Sequence, residues 1–281
     1  MSTDLPNFLH LGPSKSGSTW LHEVLISHLE IYLTEAKDLY FFNRYYDRGL
    51  DWYQAQFRNV RSEHDVIGEV CPDYLACPEA PDRILACLGP DVRLMVTLRE
   101  PVARALSGYL YLRKHGLAAD SFQETALTWP DLLDDGRYAT HLRRYLRAFD
   151  RKRLYVALFD DLEADPQAFL DEVTDWLGVS RYPVGSALLK PHLPASEARW
   201  LPLAKVAKRG ANWVRRHDGA ALIGHVKRSP LVQRALYRPF GEERPVMAPG
   251  DVAFVHEQLA EEIAGVEEEF GIPLRRRWGW Q

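Results

Sequence analysis

Phe8-Leu9-His10-Leu11-Gly12-Pro13-Ser14-Lys15-Ser16-Gly17-Ser18-Thr19-Trp20-Leu21 is the stretch whose reading decides the fold. It runs from a short apolar strand, through a turn bracketed by Gly12 and Gly17, into the start of a helix. Four hydroxyl residues, Ser14, Ser16, Ser18 and Thr19, surround one cation, Lys15. The backbone N–H groups of such a turn converge at the positive end of the following helix, where a phosphate binds without needing a metal. The spacing Gly12-x-x-x-x-Gly17 matches the first part of a Walker A loop, but Ser18 stands where that loop carries its Lys. The cation sits inside the turn instead, at a place from which it reaches bridging or terminal oxygens of a bound anion. Many isolated matches of this kind are plain Ser/Gly-rich connections with a solvated lysine. Here the strand before and the helix after both fit an anion loop.

Outward from the loop, Trp20, Leu21, Val24, Leu25, His28 and Leu29 recur at helical spacing and predict an amphipathic helix whose N-terminus points at the anion. Leu39 to Phe42 is an aromatic packed segment preceded by Glu35, Lys37 and Asp38. Val66 to Val70 reads as a buried strand that Pro72 ends, which puts Glu69 at a strand end, where ligands gather in open α/β sheets. Pro81 to Leu88 reads as a short helix. The continuous apolar run Val92 to Leu98 predicts a central strand delivering Arg99, and Pro101 opens a helix carrying Arg104 and Ser107. An Arg at a strand end and a Ser two turns into the next helix can grip one phosphate, the guanidinium as a fork and the hydroxyl as a single donor. A helix from Tyr138 to Phe149 follows, then a strand from Leu154 to Phe159 ended by Asp160 and Asp161, then a helix from Gln167 to Leu177 stopped by Gly178. This alternation predicts an α/β, P-loop-like fold of three layers, with a central, largely parallel sheet flanked by helices.

Pro13-Ser14-Lys15-Ser16-Gly17-Ser18-Thr19-Trp20 resembles the 5′-phosphosulfate loop of sulfotransferases that use 3′-phosphoadenosine-5′-phosphosulfate (PAPS). Lys37-Asp38-Leu39-Tyr40-Phe41-Phe42 and Gly49-Leu50-Asp51-Trp52-Tyr53 are similar to segments of the heparan-sulfate-type branch, and the likeness continues in order to about residue 180. The resemblance implies transfer of a sulfuryl group from PAPS to a hydroxyl, less readily an amine, of a small-molecule, lipid or carbohydrate acceptor, with PAP as product. It implies that Ser14, Lys15, Ser16, Gly17, Ser18, Thr19 and Trp20 bind the 5′ side of the cofactor. Arg99 and Ser107 stand in register with the family's 3′-phosphate segment, and Tyr138 lies in a Gly-x-Tyr segment close to the nucleotide. Asp38 occupies the place of the catalytic Glu in the family's Lys-Glu-x-x-Phe-Phe motif and is one methylene shorter. Glu69, Pro72 and Tyr74 match Glu-Lys-Ser-Pro-x-Tyr, with Val70 where a Lys is common.

The catalytic set expected from this is Lys15, stabilising charge on the departing oxygen, with either Asp38 or Glu69 as the base. No metal is expected, since neither the loop nor the Val92 to Leu98 strand supplies the acidic magnesium ligand of a P-loop ATPase. Two other readings compete: a P-loop kinase acting on a small molecule, and a module that holds an adenosine bisphosphate without catalysis. The shifted Lys15 argues against the first, and the two carboxylates at 38 and 69 argue against the second. Tyr40, Phe41, Tyr45, Tyr46, Trp52 and Tyr53 form either an acceptor wall or core.

With 281 residues, 46% of them hydrophobic, the chain can bury the core of one large α/β domain, and a single domain over 1–281 is expected. Cys71, Cys77 and Cys87 are an odd number without a C-x-x-C pair, which points away from a disulfide framework or zinc site and toward a reduced, cytosolic compartment. No stretch has the length and apolarity of an integral membrane segment. A net charge of −4 argues against nucleic acid as a partner. Between Lys190 and Arg244 lie 12 Lys and Arg against 4 acids, in Trp-containing sequence that reads either as a basic helical lid over an anionic cofactor, spanning about 190–245, or as a solvated helix face. Residues 251–281 read as a C-terminal brace, built on an acidic helix from Val252 to Phe270.

Overall fold

The computed structural model describes residues 5–189, 196–198, 237–239 and 246–280. The chain divides into two compact units, Met1–Glu100 with Arg137–Pro191, and Pro101–Gly136 with His192–Gln281.

The first unit is built on a five-stranded sheet of β1 (Phe8–Gly12), β2 (Ile31–Leu33), β3 (Val66–Val70), β4 (Arg93–Leu98) and β5 (Leu154–Leu158). The order is β2-β3-β1-β4-β5, and every neighbouring pair is parallel. β1 is central: Phe8 faces Gly68 of β3 on one side and Arg93 of β4 on the other. After β1 the chain fills one side of the sheet, and after β3 it crosses to fill the other. The strand order therefore reverses at β1, and the turn leaving β1 lies at the topological switch point, the place where ligands bind in open parallel sheets.

Both faces of this sheet are covered. Phe8, Val66, Val70, Met95 and Ala157 pack in one apolar cluster with Trp20, Leu21, Val24 and Leu25 of α1 (Ser18–Leu25), Leu162 of a short helix, and Phe169, Leu170, Val173 and Leu177 of a long one. Their alternate neighbours Leu9, Leu11, Leu94, Val96 and Leu98 are equally buried, which is why these strands read as continuous apolar runs. The other helices of this unit are α2 (Phe41–Arg44), α3 (Leu50–Gln54) and α4 (Ala80–Leu88) before β4.

The α1 helix is shorter than its apolar spacing predicts. It stops at Leu25, Leu29 is 84% exposed, and His28 Nε2 instead meets the Ser180 carbonyl at 2.7 Å, turning the chain into β2. The strand expected to reach Phe159 ends at Leu158. Phe159 opens a helix, so Asp160 and Asp161 lie in a first helical turn, where the backbone dipole favours negative charge.

The second unit holds α5 (Pro101–Lys114), α6 (Phe122–Thr128) and α7 (Asp131–Asp134), and Arg104 of α5 is 1% exposed. Its guanidinium donates to the Leu132 carbonyl and pairs with Asp135 at 3.6 Å, so the buried charge is compensated. Back in the first unit come α8 (Tyr138–Ala148), α9 (Phe159–Ala164) and α10 (Pro166–Leu177). Asp165 caps α10 by accepting the Gln167 and Ala168 N–H groups, and Gly178 ends it at φ 73°. Later in the second unit come α11 (Pro249–Phe270), which buries Val255, Leu259, Ile263 and Val266 along one stripe, and α12 (Leu274–Trp278).

The basic segment at about 190–245 lies outside the described residues except for two strands, β6 (Ser196–Ala198) and β7 (Tyr237–Pro239), which pair antiparallel. Among the described residues no helix is long and apolar enough to cross a membrane.

Candidate active site

The turn after β1 is shaped by three positive φ angles: Gly12 at 122°, Lys15 at 72° and Gly17 at 85°. At Gly12 a Cβ would overlap the Pro72 carbonyl, because the chain leaving β3 passes directly against the end of β1. Gly17 is the N-cap of α1, and no side chain caps that end. The backbone N–H groups of the first turn are therefore left to other acceptors. A Cβ at Gly17 would lie 2.9 Å from Leu162 and 3.1 Å from Phe159.

Within the turn, Ser16 is fully buried and its Oγ has no hydrogen-bond partner. A hydroxyl so placed costs free energy unless something accepts from or donates to it. Ser14, Lys15 and Thr19 are half-buried around it, whereas Ser18 is buried in the helix. Trp20 is placed otherwise: its indole lies in the core edge-on to Phe169, and its Nε1 donates to the Leu188 carbonyl at 2.7 Å.

Arg99, at the end of β4, reaches this turn. Its guanidinium donates to the Lys15 carbonyl at 2.9 Å and lies 4.4 Å from the centre of the Phe159 ring. Tyr138 is buried, and its hydroxyl donates to the Arg99 carbonyl at 2.7 Å. Both residues thus act on the frame of the turn. Ser107 lies half-buried on α5 in the second unit.

The two carboxylates have different surroundings. Asp38 sits in a left-handed backbone conformation, φ 67°, with its N–H donating to the Val70 carbonyl at 3.1 Å. Its carboxylate pairs with Lys37 Nζ at 2.9 Å and is 17% exposed. Glu69 is fully buried. One of its oxygens, Oε2, accepts the Tyr53 hydroxyl at 2.7 Å, while Oε1 accepts the Tyr74 hydroxyl at 2.8 Å and the Leu39 N–H at 3.2 Å. Burial pushes its pKa up to about 7; the three donors pull it down, and the nearby Asp38 charge adds to the rise. Burial and the Glu69 charge hold the Tyr53 and Tyr74 hydroxyls well above the usual phenol range, so both remain donors.

His10, on β1, belongs to no motif that the sequence displays. It is fully buried, its Nε2 lies 3.1 Å from Thr97 Oγ1, and its Nδ1 has no partner. Burial, reinforced by the positive charge of Lys37, lowers its pKa to about 3, so the ring is neutral near pH 7. A His flanked by leucines on a central strand is the signal the sequence offers for it.

The aromatic residues divide. Phe41 and Tyr53 are core, stacked with centroids 4.3 Å apart, whereas Tyr40, Tyr45, Tyr46 and Trp52 are half-buried. The last four carry guanidinium groups on their faces, Arg44 on Tyr40, Arg48 on Tyr45 and Trp52, and Arg83 on Tyr46. Among the described residues no His, Cys, Asp and Glu side chains gather as a metal-ligand group.

A family model described as a sulfotransferase domain matches residues 5–191. The chain is 34% identical over 217 residues to the bifunctional heparan sulfate N-deacetylase/N-sulfotransferase 4 of Mus musculus, a match covering 69% of this chain and 23% of that one. Over 191 residues it is 32% identical to the heparan sulfate glucosamine 3-O-sulfotransferase 3B1 of Homo sapiens, covering 64% and 48%. The chain thus spans less than half the length of either relative. Its fold is shared with the crystal structure of a sulfotransferase from Alicyclobacillus acidocaldarius, at a TM-score of 0.70 and 23% identity over 98% of this chain and 99% of that one.

Proposed function

The chain belongs to the sulfotransferase domain family, and from that premise we propose that it moves a sulfuryl group from PAPS to an acceptor hydroxyl, less readily an amine, and releases PAP. The observation that carries this reading is the buried, unpartnered Ser16 hydroxyl in a turn whose glycines open the head of α1. Those features fit an anion of phosphate chemistry. PAPS supplies the sulfuryl group and the phosphate that leaves.

In this reading Lys15 and the N–H groups of the turn neutralise the charge that grows on the departing phosphate oxygen as the S–O bond breaks. Ser14, Ser16, Gly17, Ser18 and Thr19 hold the 5′ side. Asp38, paired with Lys37 at 2.9 Å, takes the proton of the acceptor as the acceptor oxygen bonds to sulfur. Arg99 fixes the turn from behind through the Lys15 carbonyl, and its place in the 3′-phosphate grip rests on its register with the family's segment. The role of Ser107 rests on its register with the family's 3′-phosphate segment alone. The half-buried Tyr40, Tyr45, Tyr46 and Trp52 make the acceptor wall.

The test is a transfer assay with sulfur-labelled PAPS across phenols, lipid alcohols, glucosamine and heparan-type oligosaccharides. Label should move to at least one hydroxyl acceptor, and Lys15→Ala should abolish the transfer. PAPS left intact with every class, or ATP turned over in its place, would refute the reading.

A further inference from the structure

The segment that carries Asp38 is held in an unusual way. Asp38 and Tyr40 both have left-handed backbone conformations, φ 67° and 57°, without being glycine. Such residues persist only where surrounding contacts over-determine them. The contacts here converge on one carboxylate. Glu69 Oε1 accepts the Leu39 N–H between the two left-handed residues, and the same oxygen accepts the Tyr74 hydroxyl. Tyr74 Oη in turn accepts the Phe41 N–H at 2.9 Å, just past the second left-handed residue. Tyr53 occupies the other oxygen of Glu69, and the Asp38 N–H is tied to the Val70 carbonyl, one residue beyond Glu69. All of these groups lie in the first unit, and Glu69, Tyr53 and Tyr74 are fully buried.

From this network we infer that Glu69 is a positioning residue for Asp38, acting with Tyr53 and Tyr74 as a buried clamp on the 38–41 turn. The inference rests on the reading of Asp38 as base. Glu69 itself receives three donors; it pins the Leu39 amide directly and the Phe41 amide through Tyr74, so that the Asp38 carboxylate is presented at one angle. A misplacement of about 1 Å in a positioned group can cost on the order of 10²-fold in rate, which sets the size of the effect. The clamp is graded. Tyr74 touches both Glu69 and the Phe41 amide, whereas Tyr53 touches Glu69 alone.

The test uses the full chain and four variants: Glu69→Gln, Tyr74→Phe, Tyr53→Phe and Asp38→Asn. Turnover is read as PAP released from labelled PAPS with water as acceptor, PAP affinity by calorimetry, and the Leu39 and Phe41 amides by hydrogen exchange. The phenylalanine variants remove one hydroxyl each and keep the ring packing, so they remain informative if Glu69→Gln fails to fold. The clamp predicts faster exchange at both amides in Tyr74→Phe. It also predicts a fall in kcat of about 10- to 100-fold with PAP affinity unchanged, and a smaller fall in Tyr53→Phe. In an Asp38→Asn background the Glu69→Gln and Tyr74→Phe losses should largely vanish, because the clamp has nothing left to aim. Unchanged exchange and kcat in Tyr74→Phe, with Asp38→Asn impaired, would overturn the clamp and leave Asp38 as base. Glu69→Gln inactive with Tyr74→Phe fully active would make Glu69 itself the proton acceptor, also overturning it. Asp38→Asn fully active would remove the base reading and the clamp together.

Discussion

Replacing His10 by Gln should change how the protein responds to acid, by an amount set by the burial of that ring. In the unfolded chain His10 titrates near its ordinary 6.5, and in the folded chain burial and the Lys37 charge hold it at about 3. Between those two values the unfolded state binds a proton that the folded state does not. Stability is therefore fully present above pH 6.5 and is lost as the pH falls toward 3. At 1.36 kcal/mol per pKa unit the whole traverse is worth on the order of 5 kcal/mol, and the part between about pH 6.5 and 4.5 on the order of 3 kcal/mol. That is a large share of the roughly 5–15 kcal/mol by which a folded domain is stable. The Gln amide does not titrate and can still meet the Thr97 hydroxyl, which lies 3.1 Å from His10 Nε2. Urea unfolding of both proteins at several values between about pH 7.5 and 4.5 gives the difference in stability, from which the carboxylates common to both cancel. The variant should gain about 3 kcal/mol relative to the wild type as the pH falls through that range. A difference that stays flat with pH would refute the reasoning, since it would mean that His10 titrates alike in both states.

Asp38→Asn should lower turnover by about 10²- to 10⁴-fold while leaving PAP binding nearly intact, and Asp38→Glu should keep much more activity; steady-state rates beside PAP calorimetry check this. PAP should bind equally well with a chelator present, because the donors assigned to it are Lys, Arg, Ser and backbone groups, and affinity that disappears with chelator would count against that assignment. Arg99→Ala should cost more PAP affinity than Ser107→Ala, a charge-assisted hydrogen bond being worth roughly twice a neutral one. Gly12→Ala should unfold the protein at markedly lower denaturant than the wild type, since φ 122° and the Pro72 carbonyl leave no room for a Cβ; an unchanged midpoint would show that β1 and the chain after β3 can move apart.

The elements that are readable from the sequence are those whose signals are local and redundant. The turn from Gly12 to Gly17 lies between an apolar run and a helix, Val92 to Leu98 is unbroken, and Asp165 and Gly178 bracket α10 with a cap at each end. β2 is not readable because three residues are too few to show a period, and its pairing with β3 supplies what the local sequence lacks. Phe159 satisfies a strand and a helix equally, so the end of β5 is decided by the helix-forming residues after it rather than by Phe159 itself. In the site, the residue types at 15, 38 and 69 announce themselves. Their surroundings do not, because these depend on Tyr53 reaching Glu69 across 16 positions and on a left-handed φ at Asp38. The core placement of Trp20 and Tyr53 is hidden for the opposite reason, since a large aromatic packs as readily in a core as against a ligand.

The hydrogen bond from Arg99 to the Lys15 carbonyl has a consequence for how an anion would be captured. A turn held by its own neighbours before any ligand arrives loses little further conformational freedom on binding, so more of the electrostatic attraction is left over as affinity. The same bond makes Arg99 hard to exchange for Lys. A single ammonium could meet the carbonyl or lie over the Phe159 ring, but it lacks the flat fork that does both at once. The support of that side chain is itself one bond deep: Tyr138→Phe removes the hydroxyl that anchors the Arg99 carbonyl, and should leave the turn less firmly held.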